Sequence, residues 1–140
     1  MIKGSTRVDV VITSKSELVA FMTSKHLDKF YDPYLVWDLS SQYGIDPGFA
    51  MAVFILETGW GESDLYQRTY NPAGIVSHGK YRSYDTRAEG LEDMFRLLRA
   101  YADGSIEYVG VRNTVEEVRN AWSEAEDLDK ILTLWRLVYD

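Results

Sequence analysis

The chain has 140 residues, 46% hydrophobic and 26% charged, a balance that excludes a disordered polymer and allows one well-formed core. A net charge of −7 argues against nucleic acid as a partner, because phosphate contacts need clustered Lys and Arg. Cysteine is absent, which removes disulfides, thiolate metal sites and a cysteine nucleophile.

Residues 1–12 read as a loose lead-in, with a short strand at Val8 to Ile12. Met1 to Arg7 lacks the apolar core of a secretory signal, and no later run approaches the roughly 18 apolar residues of a membrane span. Ser14 and Glu17 form a capping box that starts a helix through about Ser24, with Leu18, Phe21 and Met22 inward. Asp32-Pro33 opens a second helix whose apolar face combines Tyr34, Trp37, Leu39 and Tyr43, and Gly44 ends it. Asp46-Pro47 opens a third, running through Glu57 and apolar on nearly every side, so it is expected at the centre.

Gly59 and Gly61 stop that helix, and residues 62–73 read as a loop holding at most a turn of helix. Ile75 to Ser77 and Lys80 to Tyr84 are strand-like around His78-Gly79, a tight hairpin. Thr86 and Glu89 make another capping box, ahead of a helix with Ala88, Leu91, Phe95, Leu98 and Tyr101–Ala102 at helical spacing, ending near Gly104. Thr114 with Glu117 caps a helix carrying Val115, Val118 and Trp122. Asp127 starts the last, with Leu128, Ile131, Leu132, Trp135 and Val138. The sum is one domain over 1–140, α+β but predominantly α-helical, with a very small β-hairpin lobe.

Chemistry concentrates where the third helix ends. Ala50 to Leu56 is an unbroken apolar run, and Glu57 follows it directly. A carboxylate poorly solvated on one side is disfavoured as an anion, so its pKa is expected to rise, which suits a proton donor near neutral pH. The competing reading is a helix-terminal Glu that simply reaches water.

The segment Glu57-Thr58-Gly59-Trp60-Gly61-Glu62-Ser63, followed by Asn71-Pro72-Ala73-Gly74-Ile75 and Tyr81-Arg82-Ser83-Tyr84-Asp85, resembles the glucosaminidases of glycoside hydrolase family 73. The order and spacing match from about Pro33 to Tyr101, and the Glu57 motif is the most specific part. This resemblance implies a lysozyme-like fold and cleavage of peptidoglycan glycan strands at the β-1,4 bond after N-acetylglucosamine. Glu57 would be general acid and then general base. Gly59 and Gly61 would let the chain turn sharply and a sugar approach closely. Trp60 either packs under the motif or lines the cleft, Asn71 shapes the loop bounding it, and a hairpin tyrosine, Tyr84 or Tyr81, faces it. Strict alternation puts those two tyrosines on opposite faces.

The second catalytic group is less visible, because Tyr66 to Tyr84 holds no Asp or Glu. Relatives often carry an acid in a longer lobe there. Nearby acids are Glu62 and Asp64, read as loop surface, Glu89, read as part of its cap, and Asp85, either assisting residue or turn residue. An N-acetyl sugar can supply its own nucleophile through its 2-acetamido carbonyl, so a missing partner does not forbid hydrolysis. Arg68, Lys80, Arg82 and Arg87 against Asp85 form a local positive patch that would steer anionic wall groups, or are plain solvated surface.

His26 and His78 are too few and too far apart for a metal site, and Ser63, Thr58 and Ser77 lack partners for a serine-hydrolase triad. No cofactor or metal is called for. The expected partner is the peptidoglycan strand, the expected state a monomer, and the expected place of action outside the cytoplasm, reached by a route the sequence does not name. Endolysins and autolysins share this profile. A lytic transglycosylase on the same scaffold, or a non-catalytic wall-binding or assembly module, are the competing readings.

Overall fold

A computed structural model describes residues 1–122 and 127–140. Among them are seven α-helices and one two-stranded antiparallel sheet: α1 (Lys15–Ser24), α2 (Pro33–Tyr43), α3 (Pro47–Thr58), α4 (Asp64–Thr69), β1 (Val76–Ser77), β2 (Lys80–Tyr81), α5 (Arg87–Asp103), α6 (Val115–Trp122) and α7 (Leu128–Arg136). The mainly helical, lysozyme-like α+β architecture expected from the sequence is present. The hairpin is shorter than expected, because strand pairing stops at Tyr81. Its turn is the one expected, with His78 and Gly79 both at positive φ, the geometry a two-residue hairpin favours.

Local chemistry explains the helix boundaries. Ser14 and Glu17 exchange both capping-box bonds at α1. Asp32 caps α2 with Pro33 behind it, and Gly44 at φ 66° stops it. Thr114 and Glu117 also form a reciprocal pair ahead of α6. Two expected caps are half right. Thr86 accepts from the Glu89 N–H, but no side-chain bond returns from Glu89. Asp127 precedes α7 without capping it, since its carboxylate turns toward Arg119 instead. The stretch expected as a loop carries α4, capped by Ser63.

The centre of the molecule is α3, which is buried from Pro47 through Ile55 and packs against α7. Phe49 meets Trp135 at 5.4 Å between ring centroids, and Gly48 makes that approach possible, because a β-carbon there would lie 2.8 Å from Trp135 Nε1. Phe30, Tyr31, Phe54 and Tyr66 close the other end of the core in edge-to-face pairs, with Tyr66 donating to the Tyr31 hydroxyl at 2.8 Å. On α2 the inward residues are Val36, Leu39 and Ser40, whereas Tyr34 is exposed. Of the expected face, Leu39 is buried and Trp37 and Tyr43 pack half-buried against the core, so Tyr34 alone falls outside it. The side chain of Trp122, expected inward, lies outside what is described.

The N-terminal segment is not loose. Ile2 and Val8 are buried, Val8 donates its N–H to the Asn113 carbonyl, and the Asp46 N–H donates to the Val8 carbonyl. The expected strand reduces to a single bridge between Arg7 and Thr114. Asp46 explains the tether. Its fully buried carboxylate caps α3 through Gly48 and Phe49 and also accepts from Ile12 and Thr13. No helix among the described residues is long and apolar enough to cross a membrane.

Candidate functional site

Glu57 stands in the last turn of α3 with its side chain 23% exposed. The apolar approach is only half of its surroundings. Arg119 of α6, completely buried, donates from Nη2 to Glu57 Oε1 at 3.0 Å and also reaches Asp127 Oδ2 at 3.2 Å. An ion pair, rather than a bare apolar wall, therefore meets Oε1. The other oxygen, Oε2, faces Gly74, where a β-carbon would lie 3.5 Å away.

The turn after Glu57 is fixed from within. Thr58 donates to the Phe54 carbonyl and accepts from the Gly61 N–H, while Gly59, Trp60 and Gly61 all adopt positive φ. Gly59 meets open space. Gly61 does not, since a β-carbon there would sit 2.5 Å from Phe30 Cζ, so its bareness serves the Phe30 ring rather than a sugar. Trp60 is 38% exposed, which settles it outside the core. It lines a shallow apolar groove of about 480 Å³ with Leu56, Gly59, Thr133 and Leu134.

Asn71 shapes the loop that passes Glu57. Its buried amide donates to the carbonyls of Ile75 and Arg82, and its oxygen accepts from the Ile75 N–H at 2.9 Å. That network bends the chain so that Gly74, at φ 64°, passes Glu57. Gly90 of α5 tightens the same loop. A β-carbon on it would collide with the Tyr70 carbonyl at 2.2 Å and crowd Pro72 and the Tyr84 ring.

Tyr84 directs its hydroxyl into α5, donating to Asp93 Oδ2 at 2.5 Å. Arg82 donates to the same oxygen at 2.7 Å, and Arg96 to Oδ1 at 3.0 Å. Burial opposes the Asp93 charge, but the Tyr84 hydroxyl and the two guanidiniums outweigh it and hold the carboxyl below its ordinary range. Burial first, and then Asp93, push the Tyr84 phenol well above its ordinary value. Asp93 lines a pocket of about 450 Å³ together with Gly74, Ile75, Leu97, Ala100 and Tyr101. Gly74 therefore lines the Asp93 pocket and also lies beside Glu57 Oε2. Tyr81 and Asp85, by contrast, are exposed and make no side-chain hydrogen bond among the described residues. No cluster of potential metal ligands occurs among the described residues.

Sequence reasoning missed Arg119, Asp93 and Gly90. Two of these left a signal. Arg119 lies on the apolar stripe of Val115, Val118 and Trp122, an odd place for a charge. Asp93 heads a second stripe on α5 with Leu97, Ala100 and Tyr101 at helical spacing.

A carboxylic acid at the end of a buried helix, opposite a hairpin wall, on a mainly helical scaffold defines a lysozyme-like glycosidase. Residues 34–130 match the family model of the glucosaminidases, described as mannosyl-glycoprotein endo-β-N-acetylglucosaminidase. The chain belongs to this family and is a glycoside hydrolase acting on glycans that contain N-acetylglucosamine. No curated protein matches it.

Proposed function

We propose that the protein is a peptidoglycan hydrolase that acts outside the cytoplasm, cutting the β-1,4 bond after N-acetylglucosamine with Glu57 as general acid and then general base. The observation that carries this is the asymmetric setting of Glu57. Oε1 is clamped by Arg119, while Oε2 looks toward the groove wall at Gly74. A fixed carboxyl whose second oxygen makes no hydrogen bond among the described residues is the geometry a proton shuttle needs. Hydrolysis proceeds with the substrate's 2-acetamido carbonyl as nucleophile, the exception to the two-carboxylate scheme. Trp60 offers a flat apolar face on one side of Glu57, suited to a sugar ring. Asn71 serves by holding the wall, not by touching substrate. Tyr84 gives its hydrogen bond to Asp93 and supports that residue. Asp85 and Tyr81 are surface positions at the rim.

Digestion of purified peptidoglycan, followed by borohydride reduction and mass analysis of the fragments, tests the reading. Wild type should release fragments ending in reduced N-acetylglucosamine, and Glu57→Gln should release none. Equal lysis by both proteins would remove Glu57 from the chemistry. Fragments ending in a 1,6-anhydro ring would make the enzyme a transglycosylase.

A further inference from the structure

We propose that Asp93 is the second carboxylate of the site and accepts a hydrogen bond from the 2-acetamido N–H of the sugar whose bond is broken. The inference rests on the reading of Glu57 just given and supplies the group that the sequence between Tyr66 and Tyr84 lacks.

Three observations lead there. Asp93 is 15% exposed, and it lines a pocket together with Gly74, the residue beside Glu57 Oε2. A carboxylate has about four lone-pair sites, and Tyr84, Arg82 and Arg96 occupy three, leaving one acceptor on Oδ1. Arg82, Arg96 and Tyr101 share the lining, and beside them Ile75, Leu97 and Ala100 form an apolar patch that suits the acetamido methyl group. A fixed anion with one acceptor site left, set beside an apolar patch, matches an N-acetyl group in both its parts.

The chemistry balances with no further reactant. The acetamido carbonyl oxygen forms a bond to C1 as the bond from C1 to the leaving oxygen breaks, and Glu57 gives its proton to that oxygen. The product is a cyclic oxazolinium ion whose positive charge is shared with the N–H held by Asp93. Water then adds to C1, loses a proton to the Glu57 carboxylate and reopens the ring, which restores both the acetamido group and the acid. Asp93 keeps its charge throughout, and Arg82, Arg96 and Tyr84 are positioning residues that hold it.

Turnover of peptidoglycan and binding of oligosaccharides test the inference on the full chain. Asp93→Asn should lower kcat by about 10²-fold with a smaller change in KM, in line with loss of one electrostatic stabiliser. In a Glu57→Gln background, the protein should bind an N-acetylglucosamine tetramer in preference to its de-N-acetylated counterpart, and adding Asp93→Asn should erase that preference. Turnover within threefold of wild type, with the preference kept, would overturn the role of Asp93. Should Asp93→Asn fail to fold, proton NMR of the N-acetylglucosamine tetramer bound to Glu57→Gln reads the same contact with Asp93 intact. One acetamido N–H should shift downfield on binding, and no shift would sink the proposal. An active Glu57→Gln enzyme would instead refute the reading of Glu57, so the two failures are distinct.

Discussion

Two charged clusters among the described residues are built with opposite polarity. At the end of α3 a buried cation, Arg119, lies between two carboxylates, Glu57 and Asp127. On the hairpin face of α5 a half-buried anion, Asp93, lies between two cations and a phenol. In the first cluster the central charge is sealed away and its acidic partners reach the surface. In the second the central charge opens to a pocket and its partners form the rim. The difference teaches that orientation can be enforced from either side of an ion pair. A carboxylate at the edge of its cluster keeps one oxygen to act with, whereas one at the centre keeps only a residual lone pair.

Breaking the first cluster should have the largest effect. Arg119→Met leaves Glu57 and Asp127 facing each other without their cation, and removing one partner of a buried pair costs about 3–5 kcal/mol. Urea unfolding should show that loss. Arg119→Lys should recover part of the stability and less of the activity, because a point charge does not copy the fork of a guanidinium. Comparable stability of Arg119→Met and wild type would mean the cluster is not a structural centre.

Breaking the second cluster should cost less. Tyr84→Phe removes one bond to a charged acceptor, worth about 1.5 kcal/mol by denaturant unfolding. A wild-type midpoint would show that the Tyr84 hydroxyl does not anchor the hairpin.

Acid separates the clusters further. Since the Asp93 carboxyl is held below its ordinary range, the stability it contributes is complete above about pH 4 and is lost as pH falls through its folded value. Asp93→Asn should therefore flatten the decline in stability below about pH 4. An unchanged acid limb would place that decline elsewhere, for instance at Asp9 beside Arg7, which is also held below its usual range. The smallest effect belongs to the rim. Asp85→Asn should change stability by no more than about 0.5 kcal/mol and leave lysis within twofold, and a large loss of lysis would restore Asp85 to the site.

Much of this was legible in the sequence wherever a boundary is made by neighbours. Asp46-Pro47 and Gly59 bracket α3, and His78-Gly79 makes the hairpin turn, because caps and turns depend on residues a few places apart. The Glu57 motif was legible for the same reason. Its partner was not, because Arg119 is 62 positions away and only the packing of α6 brings it in. Asp93 escaped for a subtler cause. It stands on α5, outside the segment from Tyr66 to Tyr84, and only the packing of the hairpin on that helix brings Tyr84 and Arg82 to it.

Gly90 carries one more consequence. The bare Cα of α5 rests on the Tyr70 carbonyl so closely that even a methyl group has no room. The distance between helix and loop is thus gauged by main chain against main chain, with no side chain to adjust it. Evolution can retune the charges along this groove one residue at a time, but its width is a casting dimension, changeable only by recasting both walls together.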